Sequence, residues 1–211
     1  MRILIAFVLI QLALNSNAQD FPDYRSKRDN LAKIPQKDVK ADLATFTLAG
    51  IDESIGKLPL RSIPAVSSDN SQMKFEGENI QVIIRAAKFD PAKHKIQYYD
   101  EKKYVVRVDG KPYYGNYSEM PTTSISEVIV VVGKDTVQIP QVAYFDLYSP
   151  IFTYRDRSGT VKTKNGVYLS NDGKKIYIYM LNQESKGKYE VTWVIQDKQY
   201  LRRVLDFNLL N

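Results

Sequence analysis

The chain contains one histidine, His94, and no cysteine, and those two counts narrow the chemistry open to it. A Ser-His-Asp or Cys-His relay needs a histidine as proton carrier, so it is built on His94 or not at all. His94 lies in Phe89-Asp90-Pro91-Ala92-Lys93-His94-Lys95, a turn between strands, with Asp90 as the carboxylate that would orient its ring. A surface turn histidine is the simpler account. A zinc site draws on several His and Cys ligands, which this composition does not supply; the sequence implies no metal and no cofactor. Carboxylates are plentiful, 24 Asp and Glu in all, and glycoside hydrolysis works with a facing pair of them. None falls in a local motif that fixes its partner, so no catalytic residue is assigned. Asn171-Asp172-Gly173 and Asp156-Arg157-Ser158-Gly159 contain pieces of a calcium loop but lack the spaced oxygens and terminal glutamate of an EF-hand. Turn chemistry explains both, because Asn, Asp and Gly tolerate positive φ.

Tyrosine is the more informative residue. It occurs 15 times, against eight Phe and one Trp, and Tyr98, Tyr99, Tyr104, Tyr113, Tyr114 and Tyr117 crowd a short stretch. An apolar ring with a polar tip suits a contact surface, although tyrosine also fills half-exposed strand positions. In Tyr113-Tyr114-Gly115-Asn116-Tyr117 no strand demands the rings, which makes Tyr113, Tyr114 and Tyr117 candidate binding residues. The loop Ser185-Lys186-Gly187-Lys188-Tyr189 offers a second candidate set: Ser185, Lys186, Lys188 and Tyr189.

These residues must be carried by strands. Ile80 to Ile84, Ile96 to Tyr99, Tyr104 to Val108, Val128 to Val132 and Ile176 to Leu181 are β-branched or apolar runs bounded by turn residues. Asp109-Gly110 is a strong hairpin signal. Val128 to Val132 is continuous enough to read as a strand buried on both faces. Tyr189, Val191, Trp193 and Ile195 alternate with Glu190, Thr192 and Gln196. Leu201, Arg203, Leu205 and Phe207 alternate with Tyr200, Arg202 and Asp206, in the manner of half-buried antiparallel strands. Only Gln141 to Leu147 suggests a short helix. The expectation is an all-β protein, an antiparallel β-sandwich or barrel-like sheet with at most one or two short helices.

The N-terminus reads differently. Met1-Arg2, the apolar run from Ile3, and small Ser16 and Ala18 form the grammar of a cleavable signal peptide over residues 1–18. The apolar run is shorter than the ~20 residues a membrane span needs, so no span is expected once it is removed. Residues 19–42 read as a flexible, charged leader. Residues 43–72 read as an N-terminal segment packing on the main domain, with Thr45 to Leu48 as a first strand and Ser67 to Gln72 as a polar break. Residues 73–211 form the β-rich main domain. The net charge of +6 comes from scattered lysines and accompanies no nucleic-acid motif, so no nucleic-acid partner is expected. Absence of cysteine fits a bacterial periplasmic or extracellular location.

Val108-Asp109-Gly110-Lys111-Pro112, Ile139-Pro140 with Asp146-Leu147-Tyr148, and Tyr189 to Ile195 with Tyr200-Leu201-Arg202-Arg203 resemble secreted β-rich bacterial proteins of unknown function. The loop Ser185-Lys186-Gly187-Lys188-Tyr189, following the apolar strand Ile176 to Leu181, is similar to that of periplasmic i-type lysozyme inhibitors, whose loop is richer in Ser and Gly. The first resemblance implies no activity; the second implies an inhibitory loop, from which Lys186 and Lys188 depart. The expected function is a non-enzymatic secreted or periplasmic binding module for a protein or glycan. The alternative is a glycan-acting hydrolase whose acidic residues meet only in the fold.

Overall fold

The structure, a computed structural model, describes residues 31, 33–48, 57–99, 101, 103–116, 118–184 and 187–207. The signal segment, residues 19–30 of the leader, and the candidates Tyr117, Ser185 and Lys186 lie outside the described residues. A short helix, α1 (Lys37–Leu43), precedes the strands. These run in chain order β1 (Arg61–Ile63), β2 (Ala65–Ser68), β3 (Gln72–Gly77), β4 (Ile80–Lys88), β5 (Ile96–Tyr99), β6 (Tyr104–Val108) and β7 (Lys111–Pro112). Then come β8 (Thr123–Val132), β9 (Asp135–Val137), β10 (Tyr154–Arg155), β11 (Val161–Lys162), β12 (Gly166–Leu169), β13 (Lys175–Glu184), β14 (Gly187–Gln196) and β15 (Gln199–Phe207).

Two five-stranded antiparallel sheets result, ordered β1-β12-β13-β14-β15 and β2-β3-β4-β8-β9, with a small β5-β6-β7 sheet and a β10-β11 hairpin beside them. The all-β expectation is met. Turns set the pairing locally. Glu78-Asn79, Asp109-Gly110 and Asp197-Lys198 each place two residues at positive φ, the two-residue turn whose twist matches that of its strands. The polar stretch from Ser67 to Gln72 is the β2–β3 reversal, where the Asp69 carboxylate accepts from the Ser71 and Gln72 amides at 2.6 and 2.9 Å. The chain changes sheets at Pro64, between β1 and β2.

The sheets face each other across the main core. Met73, Phe75, Val82, Ile84, Val128 and Val130 on one side meet Val167, Ile178, Met180, Val191, Trp193 and Ile195 on the other. In β14 the expected alternation holds, and Trp193 is fully buried. Its indole N–H donates to the Ala143 carbonyl at 2.7 Å, at a single 3-10 turn (Gln141–Ala143) where a short helix was expected. β8 is buried on one face only: Val128 and Val130 are enclosed, whereas Ile129 and Val131 are half-buried. In β15 the alternation breaks. The register shifts beside Val194/Ile195, and an extra residue in a strand reverses the facing of every residue after it. Tyr200 and Leu205 therefore pack into the main core, while Leu201 joins Val204 on the opposite face.

That opposite face is a second interior. Glu190, Thr192 and Val194 are as buried as their inward neighbours, because Leu31, Ile34, Val39 and Leu43 pack over Tyr177 and Val194. The leader expectation is thus corrected for residues 31 and 33–42. Val39 and Leu43, four apart, place two apolar side chains on one side of α1. Thr45 to Leu48 is a turn, not a strand. The Thr45 and Thr47 hydroxyls donate to the Asp42 and Leu43 carbonyls, satisfying helix-end acceptors that would otherwise lack partners. The helix is also clamped by charge. The buried Lys175 ammonium lies 3.0 Å from Asp38 and 3.6 Å from Asp172, and the Tyr177 hydroxyl donates to Asp42 at 2.6 Å.

Two outcomes test this arrangement. Trp193→Ala should cost ~3–5 kcal/mol in urea denaturation, a large share of the ~5–15 kcal/mol a domain has; a loss of a few tenths would contradict the packing. The second concerns pH. The hydrogen bond from Lys175 holds the Asp38 carboxyl below its ordinary range, and the Ser170 hydroxyl, with the Lys174 amide, holds Asp172 at about 2. Depressed carboxylates stabilise the fold fully above the unfolded pKa of about 3.9. That contribution is lost as pH falls through their folded values. Burial raises Asp42, which acts in the opposite sense. Lys175→Met should therefore melt lower than wild type at neutral pH, and the gap should narrow on acidification below about pH 4. A gap independent of pH would remove the ionic clamp.

Candidate binding cleft

Two of the described sequence candidates, Tyr113 and Tyr189, are brought together inside the protein. Tyr113 is 3 % exposed and Tyr189 is fully buried. Both meet Tyr148: the Tyr113 ring stacks on it at 5.0 Å, and the Tyr189 hydroxyl donates to its carbonyl at 3.3 Å. Gly115 makes room, since a Cβ there would fall 2.6 Å from the Tyr113 hydroxyl. Burial raises the phenol pKa values of Tyr148 and Tyr189. Tyr114 is half-buried, edge-on to Phe207 at 5.5 Å and beside the Arg203 guanidinium. Tyr177 and Tyr179 lie under Phe46. Lys188 remains half-buried on β14.

His94 is oriented by Asp109 and not by Asp90. Its Nδ1 lies 2.7 Å from Asp109 Oδ2, and its ring stacks on Phe89 at 4.5 Å. Asp90 instead caps the following 3-10 turn through the Ala92 amide. The His94 hydrogen bond is the main reason the Asp109 carboxyl is held low. Among the described residues no three His, Asp or Glu side chains gather as a metal-ligand group. Glu190 and Asp206 do face each other across β14 and β15. They are buried beneath Leu31, Leu43 and Thr47, beside a void of about 10 Å³.

The open concavity lies elsewhere. A cleft of about 370 Å³ is lined by Ile151, Phe152, Tyr154, Lys164, Leu181 and Gln183. An adjoining groove of about 240 Å³ shares Ile151 and Phe152 and runs on to Pro150, Thr153, Asp69 and Asn70. Together they follow the segment 150–154, and two buried asparagines fix that segment. The Ile151 amide donates to Asn182 Oδ1 at 2.9 Å. Asn165 Nδ2 donates to the Ile151 and Phe152 carbonyls at 2.9 and 3.1 Å, and Asn165 Oδ1 accepts from the Leu181 amide at 3.2 Å. β12 stops pairing with β13 at Tyr179, so the asparagines replace the ladder beyond it.

The rim is built by the β10–β11 hairpin. Asp156-Arg157-Ser158-Gly159 is its turn, as the sequence implies. Asp156 Oδ1 accepts from Ser158 and Thr160, and the carboxylate, paired with Lys162, is held at about 2. Tyr154 is 38 % exposed at the cleft wall. Lys164 Nζ lies 5.5 Å from the centre of its ring and donates to Gln183 Oε1 at 2.6 Å. A fixed apolar floor, one accessible ring, an amide and an ammonium are the usual equipment of a site for an amphipathic ligand. Sequence reasoning missed every one of these residues. The one available signal was Asn182, a polar residue ending the inward apolar series Ile176, Ile178, Met180.

Comparison of the chain with family models, with curated proteins and with solved structures finds no match in any of the three. Among the described residues no helix is long and apolar enough to cross a membrane.

The asparagine clamp makes a definite prediction. Asn182→Ala leaves the Ile151 amide without its acceptor, which costs ~1–3 kcal/mol. Hydrogen exchange should accelerate at Ile151 and its neighbours well before it does in β3 or β4. Unchanged exchange there would mean the cleft wall is held by something else.

Proposed function

We propose that the chain is an exported, non-enzymatic binding module for a glycan, working in the periplasm or outside the cell, with the cleft along residues 150–154 as its site. The observation that carries this reading is the combination of Tyr154 with Lys164 and Gln183 above the apolar floor of Ile151, Phe152 and Leu181. A sugar ring has an apolar face that packs on an aromatic ring and hydroxyls that bond to amides and ammonium groups, so its two chemistries match the two halves of the cleft. The adjoining groove past Pro150 and Thr153 favours a chain of several sugars over a single one. The floor is preorganised by Asn165 and Asn182, which lowers the ordering cost of binding. The carboxylates argue against the hydrolase alternative: the facing pair Glu190 and Asp206 lies under the N-terminal layer, outside the cleft.

The test is a glycan array followed by calorimetry on the best hit. Tyr154→Ala should weaken binding about tenfold or more, as the loss of an aromatic anchor does, and should leave the melting temperature within about a degree or two, since the ring is partly exposed. Full affinity in this variant, or no glycan bound by the folded protein, would remove the proposal.

A further inference from the structure

The charge at the rim of the cleft takes the reading further. Lys164 donates to Gln183, a neutral amide, and lies beside the Tyr154 ring; neither neutralises it. Lys188 is the register partner of Gln183 in the β13–β14 pair. Directly opposed residues of antiparallel strands share a face, with Cβ atoms about 4.5–5.5 Å apart. Lys188 therefore shares a sheet face with Gln183, the amide that Lys164 bonds. Among the described residues neither lysine forms an ion pair, although other lysines nearby do: Lys162 is held by Asp156 at 2.7 Å.

Among the described lining residues of the joined cleft and groove the one carboxylate is Asp69, at the far end. Its Oδ1 is committed to the Ser71 amide, the Ser71 hydroxyl and the Gln72 amide. Among the described lining residues, the Gln183 end of the cleft thus carries the Lys164 ammonium and no carboxylate. An ammonium group held beside an apolar floor favours an anion over a neutral hydroxyl, because the floor limits how well water can screen it.

We infer that the ligand is an acidic glycan, one bearing carboxylate or sulfate groups, with its anion between Lys164 and Lys188 and an adjacent sugar face on Tyr154. This rests on the cleft being the binding site proposed above. The anion accepts hydrogen bonds from both ammonium groups, and Gln183 holds Lys164 in place for it.

The experiment compares the full mature chain with the double variant Lys164→Gln/Lys188→Gln by calorimetry. The probes are oligogalacturonate (carboxylate only), carrageenan oligosaccharide (sulfate only) and neutral galactan oligosaccharide. Lys174→Gln controls for the change in net charge. At least one acidic probe should bind more tightly than galactan, with an affinity that falls as salt is raised. The double variant should lose about tenfold or more of that affinity, and the Lys174 variant little. Whichever acidic probe binds more tightly identifies the anion. Galactan binding as tightly as both acidic probes, or an acidic probe held equally well by the double variant, would overturn the assignment of the anion and leave the cleft standing. If neither acidic nor neutral sugars bind to protein with an unaltered melt, the cleft reading falls too, and this inference with it.

Discussion

Arg203 and Asp146 bring two opposite charges into the interior, and much of the architecture depends on satisfying them. Their side chains are 4 % and 6 % exposed, and two N–H groups of the guanidinium meet the two carboxylate oxygens at 2.5 and 3.1 Å. Such a pair tolerates no half-measure, because a lone buried charge costs ~3–5 kcal/mol when its partner is removed. Asp146 comes from the irregular segment after β9, whereas Arg203 belongs to β15, at the far end of the chain. The segment carrying Asp146 is bound on all sides. Its Ala143 carbonyl takes the Trp193 indole. The Asp146 carbonyl and the Tyr148 amide bond to Tyr114, and the Leu147 carbonyl accepts from Ile125 in β8. One ion pair therefore sits where both large sheets and the chain leaving the small sheet converge. Trp193 and Arg203 are directly opposed in β14 and β15, so a single cross-strand position supplies both the ring and the charge.

A second constraint comes from β14 being buried on both faces. A sheet covered on one side alone could leave Glu190, Thr192 and Val194 in water. Here α1 and the residues around it cover them, tied down by Lys175 and Tyr177. The covering has an end, and the cleft begins there. Along β13 the outward series is Tyr177, Tyr179, Leu181, Gln183. Phe46 and Leu48 pack on Tyr179 and Leu181, whereas Leu181 and Gln183 also line the cleft. The same stretch of β13 has lost its β12 partner, so Asn165 and Asn182 supply the missing hydrogen bonds. The concavity is the space left where one layer stops and one edge strand falls short.

How far this was legible from the residues depends on whether the cause was local. The Asp109-Gly110 turn, the burial of Trp193 and the pairing of β14 with β15 come from alternation and turn chemistry within a few residues. The facing of Leu201 does not, because one inserted residue reverses the pattern without changing composition. α1 was hidden by its own charges: Lys37, Asp38, Lys40 and Asp42 look like a solvated leader until Lys175 and Tyr177 are placed opposite two of them. The tyrosines misled for a related reason. Tyr113 reads as a contact residue because nothing near it in sequence demands burial, the demand coming from the distant Tyr148; Tyr189 reads both as a loop residue and as part of the face of Val191, Trp193 and Ile195, and it packs with that face. The cleft was invisible for the same cause. Asn182 meets Ile151, and Lys164 meets Gln183, across separations that no periodicity encodes.

Facing carboxylates alone do not make a hydrolase, and Glu190 with Asp206 illustrates why. Glycoside hydrolysis needs the pair to flank a scissile bond, with carboxyl groups about 5–10 Å apart and a sugar between them. These two are held on adjacent strands under Leu31, Leu43 and Thr47, and the void beside them, about 10 Å³, admits at most one water. Opening it would mean lifting a layer that shares its apolar contacts with Tyr177 and Val194. The cleft presents the reverse arrangement: space and an exposed ring, Lys164 at one end, and a carboxylate at the other already engaged by the turn it builds. Among its described lining residues a second carboxylate to complete an acid-base pair is missing. That separation puts the facing acids beneath the N-terminal layer and the open space, with the Lys164 ammonium and the Tyr154 ring, beside it.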